Sequence, residues 1–261
     1  FIDALGLHIL RERKENLAVL SVDPSSPISH GSILGDKTRM ERLSQEQDAF
    51  IRPSPSRNHL GGVARRTRET ILLCEAAGFR NVFVETVGVG QSETAVRSMT
   101  DFFLLIMIPG AGDELQGIKR GIIEMTDLMA VNKADGDNKL RAERARVEYA
   151  SALHLFPPTP EGWTPPVVAC SALTGEGLPE IWNSVLEHRR ALESNGYLAR
   201  RRQQQVLAWM RELIADGLEE LFRQHPEVRG HLPRVEKDVQ NGRMTSFGAA
   251  QTLLALFRAK E

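Results

Sequence analysis

Residues 128–135 read Leu128-Met129-Ala130-Val131-Asn132-Lys133-Ala134-Asp135, so that four apolar residues precede a polar tetrapeptide. The apolar run predicts a strand buried on both faces, as in parallel sheets covered by helices. Its polar continuation then lies at the carboxyl end of the strand, where such sheets bind ligands. A carboxylate fixed at Asp135 can accept hydrogen bonds from N1–H and the exocyclic amine of guanine, a pair of donors that adenine lacks. The tetrapeptide therefore predicts a guanine-selecting loop, with an ordinary turn as the alternative.

A second strand end supports the first interpretation. The apolar residues 167–170 are followed by Ser171-Ala172. GTPases place a loop at this point of the chain order, and its backbone supports the same base. Two motifs at strand ends, in the expected order, favour the guanine loop over a chance turn.

The first two thirds of the chain alternate apolar runs with helical stretches. The predicted strands are Leu17–Val22 and residues 82–84, 102–108, 128–131 and 167–170. The predicted helices are residues 39–47, 64–77, 117–126 and 140–154. This alternation predicts an α/β fold with a mostly parallel sheet flanked by helices, and ligands at the carboxyl ends of the strands.

Three carboxylates lie in or beside predicted strand ends. Asp23 follows the first strand in Asp23-Pro24-Ser25-Ser26-Pro27, Asp36 follows in the next loop, and Glu85 ends the next strand. Oxygen ligands of this kind suit a hard cation such as Mg²⁺ beside phosphates. The alternatives are a helix cap for Asp23, a solvated charge for Asp36 and a structural ion pair for Glu85.

Two glycine-containing loops follow strand ends. Gly88, after Glu85, can bring its backbone amide close to a γ-phosphate, and a plain tight turn is the alternative. Residues 109–121 contain four glycines but lack the Lys-Ser/Thr ending of a phosphate loop, and Asp113 and Glu114 would repel phosphate. We interpret residues 109–121 as a mobile loop that passes the nucleotide state to a partner.

Composition excludes several function classes. The 261 residues are 41% hydrophobic with a formal net charge of -1, which is typical of a globular chain and gives no basic excess for nucleic acid. The longest apolar stretch falls far below the roughly 20 residues that span a bilayer, so no membrane span is expected. Cys74 and Cys170 have no paired spacing, which favours a reducing compartment without a disulfide framework or a metal site built on cysteines.

The first residues, 1–7, resemble the early part of an amphipathic helix, where a helix leaving a phosphate-binding loop would lie. The pattern G-x-x-x-x-G-K-[ST] does not occur in the 261 residues. We expect the phosphate-binding loop to belong to an N-terminal segment outside this sequence.

The last third differs in character, because its apolar residues recur at the three-four spacing of one helix face. We divide the chain into a GTPase-like domain at residues 1–187 and a helical extension at 188–261, with shorter helices near 228–239 and 246–259. The apolar face either folds back on its own subunit or pairs with a second copy. The cluster Arg200-Arg201-Arg202 is interpreted as a solvated helix face. The apolar face comprises Val206, Leu207, Met210, Leu213, Ile214, Leu218, Leu221 and Phe222.

Taken together, these motifs resemble those of the MeaB/ArgK-type P-loop GTPases, the family of the methylmalonic aciduria type A protein. The resemblance extends along nearly the whole chain, and Glu85 stands where most GTPases carry Asp. The segments that carry it are Asp-Pro-Ser-Ser-Pro, Gly-Asp-Lys-Thr-Arg-Met, Glu-Thr-Val-Gly-Val-Gly-Gln-Ser-Glu and Gly-Asp-Glu-Leu-Gln-Gly-Ile-Lys.

The resemblance implies a role for each candidate residue. Glu85, Gly88 and Lys119 would be the catalytic group. The implied Mg²⁺ ligands are Asp23, Asp36 and Glu85. The implied contacts to GTP or GDP are Asn132, Lys133, Asp135, Ser171 and Ala172. The implied third switch contains Asp113, Glu114, Gln116 and Lys119.

The resemblance also implies an activity. Members hydrolyse GTP slowly alone and faster with a partner, an adenosylcobalamin-dependent mutase such as methylmalonyl-CoA mutase. They gate cobalamin loading and protect or reactivate the mutase, as homodimers in the cytoplasm or the mitochondrial matrix. The alternatives are a metallochaperone-type GTPase, which normally shows a Cys/His cluster, and a transport-linked kinase, which is expected to take ATP.

Overall fold

The computed structural model describes residues 1–22, 39–54, 60–86, 92–110, 120–156, 159 and 162–258. These residues form two compact units, Phe1–Arg202 and Gln203–Glu261. The predicted domain division between residues 187 and 188 stays a prediction.

The first unit alternates strands and helices, as the sequence predicts. Its described strands are β1 (Leu17–Val22), β2 (Ala49–Ser54), β3 (Asn81–Thr86), β4 (Leu104–Met107), β5 (Leu128–Val131) and β6 (Val167–Ala169). Its described helices are α1 (Ile2–His8), α2 (Leu60–Ala76), α3 (Ser92–Arg97), α4 (Arg120–Glu124), α5 (Lys139–Leu153) and α6 (Leu178–Ser194), and α7 (Tyr197–Gln224) begins in this unit. A π-helical turn, Ile9–Arg13, continues α1.

The strands form two three-stranded parallel sheets, in the orders β2-β1-β3 and β4-β5-β6. Every residue of β1 and of β5 is buried, because each is the central strand of its sheet and helices cover it. The predicted α/β fold with parallel strands flanked by helices is confirmed.

One hydrophobic core joins the two sheets. Leu5 of α1, Leu128 of β5 and Trp182 of α6 belong to the same buried cluster, and Phe83 of β3 and Leu104 of β4 pack against it. The rings of Phe83 and Trp182 lie 6.2 Å apart between centroids. The strands of both sheets are therefore packed on the same hydrophobic core.

The predicted helix over residues 39–47 is wrong. Residues 40–42 form turns, and Leu43–Gln45 forms a single 3₁₀ turn. The reason is tertiary: Asp3 of α1 accepts hydrogen bonds from the backbone N–H of Leu43 and from Nε of Arg42, both at 2.9 Å. Met40 and Leu43 are buried against α1 and β1. Docking onto α1 overrides the helical pattern of this segment.

Strand β2 is absent from the sequence-based prediction. Its sequence, Ala-Phe-Ile-Arg-Pro-Ser, lacks the continuous apolar run of the other strands, and Pro53 has no backbone N–H to donate. It pairs with β1 in register, with Ile51 opposite Val19. Its position at the edge of the sheet tolerates the proline.

A buried carboxylate connects the elements at the other end of β5. Asp127 is 1% exposed and accepts two hydrogen bonds from the guanidinium of Arg97, at 2.7 and 3.1 Å, and one from the backbone N–H of Phe103 at 2.8 Å. Nε2 of His188 lies 3.6 Å from Oδ1, and Nη2 of Arg201 lies 4.0 Å from Oδ2. We call these residues the Asp127 cluster.

The arginine cluster at 200–202 is not a solvated face throughout, so that prediction is wrong for Arg201, while Arg202 is exposed as predicted. Arg201 is buried and its Nη2 donates to the carbonyl oxygen of Thr100 at 3.2 Å. Arg202 forms an ion pair with Asp101, which raises the pKa of the arginine. The start of α7 is thus tied to the loop that precedes β4.

The second unit is helical, as predicted for the C-terminal extension. It contains most of α7, then α8 (Pro226–Gln240) and α9 (Ser246–Arg258). Val228 and Val235 of α8 pack against Ala249 and Leu253 of α9 in a small buried cluster. None of the helices in the described part of the chain is long and apolar enough to cross a membrane.

Candidate functional site

The polar tetrapeptide lies at the carboxyl ends of three adjacent strands. The backbone N–H of Asn132 donates to the carbonyl of Met107, the last residue of β4, at 2.8 Å, and the N–H of Ala134 donates to the carbonyl of Cys170 after β6 at 2.9 Å. In return, the N–H of Cys170 donates to the carbonyl of Val131 at 2.9 Å. These bonds extend the sheet into the loop and fix it.

Asn132 joins the two predicted loops. Its side-chain Oδ1 accepts a hydrogen bond from the backbone N–H of Ala172 at 3.1 Å, and Sγ of Cys170 lies 3.8 Å from the same oxygen. Burial raises the pKa of the Cys170 thiol to about 11, so at neutral pH it is a protonated, weak donor. Asn132 therefore holds one loop against the other and is 9% exposed.

Asp135 is held by Ser171. The hydroxyl of Ser171 donates to Oδ2 of Asp135 at 2.5 Å. The same hydroxyl oxygen accepts the backbone N–H groups of Leu173 at 3.2 Å and Thr174 at 3.1 Å. Ser171 is fully buried, so its proton is committed to the carboxylate. Within the described residues Oδ1 of Asp135 accepts no hydrogen bond, so this oxygen is available to accept one from a ligand.

Lys133 has a left-handed backbone conformation with φ of 64°. A non-glycine residue held there costs about 1 kcal/mol and persists only where neighbours fix it. The side-chain amide of Asn138 donates to the carbonyl of Lys133 at 2.9 Å and supplies that restraint. The lysine side chain itself is exposed beside Asp135.

The loop after β6 closes on itself before α6 begins. The N–H of Ser171 donates to the carbonyl of Glu176 at 2.9 Å, and the N–H of Gly175 donates to the carbonyl of Ser171 at 2.9 Å. Nζ of Lys139 lies 2.8 Å from the carboxylate of Glu176 and adds a bridge from α5. Both residues are exposed, so we assign this pair a small contribution.

Gly177 allows the tightest contact of the loop. Its φ is +80°, and a Cβ on it would lie 2.4 Å from the carbonyl oxygen of Ala169. The backbone turn that starts α6 is thereby pressed against the end of β6. No larger residue fits there without moving the loop that holds Asp135.

Gly177→Ala is expected to lower the free energy of unfolding by about 2 kcal/mol or more, from the positive φ and the clash together. Gly175→Ala is the matched control, because Gly175 has φ of +83° in the same loop but nothing within 4 Å of its Cβ position. Urea unfolding measures both. Equal losses for the two variants would contradict the close contact at Gly177.

A cavity of about 530 Å³ opens at these loops. Its volume lies within the range of small-molecule sites, and its lining combines two amides, a cation, a carboxylate and apolar side chains. Such a set can hold a flat, hydrogen-bonding ring. The lining residues are Phe1, Asn132, Lys133, Asp135, Asn138, Ala172 and Leu173.

Glu85 lies in β3, where Ser21 of β1 donates a hydrogen bond to its Oε2 at 2.9 Å. Asp23 and Asp36 lie outside the described residues. Among the residues that are described, no group of three or more His, Cys, Asp or Glu side chains could hold a metal ion. Glu85 is thus the one predicted metal ligand whose surroundings the structure describes.

Five other predicted site residues lie in the undescribed segments, so their placement is not part of the structure. These are Gly88, Asp113, Glu114, Gln116 and Lys119. The structure brings together the five residues of the predicted base site: Asn132, Lys133, Asp135, Ser171 and Ala172.

The residues that support the loops after β5 and β6 are absent from the sequence-based prediction. Asn138, Lys139 and Glu176 contact the two loops, and their spacing gives no signal because polar residues near loops are common. Gly177 was detectable in principle, since a glycine directly before a helical pattern often marks a special backbone conformation.

The model of the family described as "Methylmalonyl Co-A mutase-associated GTPase MeaB" matches residues 1–227. The chain belongs to the MeaB family. The resemblance inferred from the sequence motifs is confirmed, and the parallel strands with their flanking helices belong to a MeaB-family GTPase fold.

Curated relatives of this MeaB-family chain agree. It is 52% identical to a Caulobacter vibrioides protein named as a GTPase, over 98% of this chain and 78% of that protein. It is 47% identical to the mouse protein "Methylmalonic aciduria type A homolog, mitochondrial", over 100% of this chain and 62% of that protein. It is 51% identical to the Escherichia coli protein "GTPase ArgK", over 81% of this chain and 64% of that protein. The chain spans less than two thirds of the mouse and Escherichia coli proteins.

Solved structures confirm the fold. The crystal structure of an LAO/AO transport system kinase matches with a TM-score of 0.72 and 35% identity, over 99% of this chain and 76% of that chain. HypB from Helicobacter pylori in complex with nickel matches with a TM-score of 0.51 and 13% identity, over 72% of this chain and 80% of that chain. The second likeness shows the fold alone.

Proposed function

We propose that this protein binds guanine nucleotides and hydrolyses GTP, and that it serves as a chaperone of an adenosylcobalamin-dependent mutase. The observation that carries the first part is the Asp135 carboxylate, held through Oδ2 by the buried hydroxyl of Ser171 at the edge of the cavity. The second part is supported by the MeaB family description.

Guanine selection follows from that geometry. Because Oδ2 of Asp135 already accepts a hydrogen bond from Ser171, the orientation of the carboxylate is set before a ligand arrives. Each carboxylate oxygen has more than one lone pair, so the carboxylate can still accept hydrogen bonds from N1–H and the exocyclic amine of guanine. Adenine presents an acceptor at N1, which would leave the half-buried carboxylate of Asp135 facing a lone pair. Asn132 keeps Ala172 at the other side of the base through its bond to the backbone N–H.

The phosphate half of the site is proposed from the sequence motifs. Mg²⁺ supplies charge neutralisation of the phosphates when it is bound, and Glu85 fits it because a carboxylate oxygen is a ligand that Mg²⁺ prefers. Asp23 and Asp36 would complete the set. Gly88 is proposed to offer its backbone amide to the γ-phosphate.

The partner is proposed to be methylmalonyl-CoA mutase or a related mutase. Hydrolysis of GTP would gate adenosylcobalamin loading and would protect or reactivate the mutase. The segment with Asp113, Glu114, Gln116 and Lys119 would sense the partner, and Lys119 would act on the phosphate side. A cation placed there neutralises charge that develops during phosphoryl transfer.

Steady-state GTP turnover with and without an excess of methylmalonyl-CoA mutase tests this proposal. We expect slow turnover alone and a rise of about tenfold or more with the mutase. Lys119→Ala is expected to remove the rise while GDP binding is retained. Turnover that the mutase does not change would exclude the partner, and a retained rise in the Lys119 variant would exclude the relay.

Homodimerisation through the second unit is also proposed, from an apolar stripe on α7. The side chains of this stripe are between 48% and 61% exposed although all are large and apolar. Contiguous exposed apolar surface of this kind marks protein interaction sites, and symmetric pairing is the commonest oligomer. The stripe comprises Val206, Leu207, Met210, Ile214, Leu218 and Leu221.

Ile214→Glu is expected to shift the protein from dimer to monomer, because it places a charge in the centre of the stripe. Sedimentation velocity measures the change. Gln205→Glu adds the same charge on the opposite side of the helix and is expected to leave the dimer intact. A monomeric wild-type protein would contradict the dimer outright.

A further inference from the structure

Glu85 is restrained by a residue to which no role has been given. Ser21 and Glu85 stand opposite each other in the parallel pairing of β1 with β3. The hydroxyl of Ser21 donates to Oε2 of Glu85 at 2.9 Å. Ser21 is fully buried, whereas Glu85 is half-buried near the carboxyl end of its strand. The bond therefore joins a fixed donor to a side chain with freedom to move.

The hydrogen bond from Ser21 is important because the side chain of Glu85 is long and flexible. A glutamate carboxylate is separated from the backbone by one more rotatable bond than an aspartate carboxylate. Ordering such a side chain costs rotamer entropy. A hydrogen bond from a neutral hydroxyl to a carboxylate is charge-assisted and strong enough to hold one orientation before a ligand arrives.

The same bond leaves the second oxygen for another purpose. Among the described residues, Oε1 of Glu85 accepts no hydrogen bond, while Oε2 is bound to Ser21. A carboxylate held by one oxygen beside a strand tip presents the other in a defined direction. Residues behind metal ligands act in this way, and their loss typically lowers metal affinity by about 10- to 100-fold.

We propose that Ser21 is a positioning residue that orients Glu85 toward the Mg²⁺ ion of the bound nucleotide. The inference rests on the proposed function, because it requires Mg²⁺-linked binding of GDP. Ser21 touches neither the nucleotide nor the ion. It acts through Oε2 of Glu85, and the serine at this position offsets the extra length of glutamate at the metal-linked position.

A merely structural role for Ser21 predicts a different result. A buried hydroxyl can satisfy a carboxylate and stabilise the pairing of β1 with β3 with no bearing on the ion. Its loss would then lower the free energy of unfolding and leave the Mg²⁺ dependence of GDP binding unchanged. The two roles are separated by a readout of metal affinity that does not depend on turnover.

The experiment measures GDP affinity of the full-length protein by calorimetry across a series of Mg²⁺ concentrations and in EDTA. The variants are Ser21→Ala, Ser21→Cys, Glu85→Gln and the double variant Ser21→Ala/Glu85→Gln. Ser21→Cys keeps a side chain of similar size with a weak donor, so it reports on the bond if the alanine variant folds poorly. Thr126→Val is the control, since Thr126 is buried, donates to the carbonyl of Ile122 and precedes β5 at the opposite end of the strands.

We expect Ser21→Ala and Ser21→Cys to raise the Mg²⁺ concentration for half-maximal tightening of GDP binding by about tenfold. GDP affinity in EDTA should stay within about twofold of wild type. In the Glu85→Gln background, Ser21→Ala should add no further change, because the two residues act as one unit. Thr126→Val should lower the melting temperature without altering the Mg²⁺ dependence.

Two results would overturn the inference. One is a Mg²⁺ dependence in both Ser21 variants that matches wild type. The other is an effect of Ser21→Ala that is as large in the Glu85→Gln background as alone, which would show that the hydroxyl does not act through Glu85. Failure of the proposed function is seen separately, because wild-type protein would then bind no GDP at any Mg²⁺ concentration.

Discussion

Asp127→Asn is expected to lower the free energy of unfolding by about 3 kcal/mol or more. Removing one partner of a buried, hydrogen-bonded ion pair costs about 3 to 5 kcal/mol, because the other charge stays buried without compensation. In this protein the orphaned group is the guanidinium of Arg97, which is only 19% exposed. Arg201, whose side chain is 10% exposed, loses the same nearby charge. Urea unfolding followed by tryptophan fluorescence measures the change, and Trp163 reports locally because its Nε1 donates to the carbonyl of Asp127.

Asp101→Asn is the matched control for the Asp127 variant. Asp101 also pairs with an arginine, Arg202, but their side chains are 39% and 52% exposed. Exposed pairs of this kind contribute about 1 kcal/mol or less. If both variants lost a similar, small amount of stability, the Asp127 cluster would not be a principal support of the sheet.

Asp135→Asn is expected to exchange nucleotide specificity. The variant offers guanine an amide in place of the carboxylate, so one of the two guanine donors faces another N–H donor. GDP affinity should fall by about 100-fold or more, since a site built on paired hydrogen bonds rejects a mismatched ligand strongly. Xanthosine diphosphate carries a carbonyl where guanine carries its amine, and this carbonyl accepts from the new amide.

The specificity exchange is measured by titrating wild type and the Asp135 variant with GDP and xanthosine diphosphate. We expect opposite preferences in the two proteins. Asp137→Asn, a change of the same chemistry two residues along in the 3₁₀ turn Gly136–Asn138, serves as the control and should keep the wild-type preference. A variant that loses both nucleotides without gaining the second would show that Asp135 supports the loop and does not read the base.

The parts of the fold that could be predicted are those in which the local pattern of apolar and polar residues is enough to indicate burial. β5 is a continuous apolar run with a polar end, so its burial and its functional edge are both visible along the sequence. β2 was hidden because Arg52 and Pro53 interrupt the pattern, and only its pairing with β1 makes it a strand. The turn at Leu43 was missed for a similar reason, since Asp3, far earlier in the chain, determines its backbone conformation.

The residues of the candidate site differ in predictability for the same reason. Asn132, Asp135 and Ser171 were predictable because their residue types and order carry the chemistry of base selection. The bond from Ser21 to Glu85 was not, because it depends on the register between two strands that are not adjacent in sequence. Arg201 was misjudged because three consecutive arginines resemble a solvated surface, while the packing at the start of α7 buries one of them against Thr100.

Selection of guanine by the cavity at Asp135 can be tested by one titration. Full-length protein is titrated calorimetrically with GDP and, separately, with ADP, both in the presence of Mg²⁺. We predict tight binding of GDP and no heat of binding with ADP. Equal binding of the two nucleotides, or binding of neither, would contradict the assignment of Asp135, Ser171 and Asn132 as the base-selecting site.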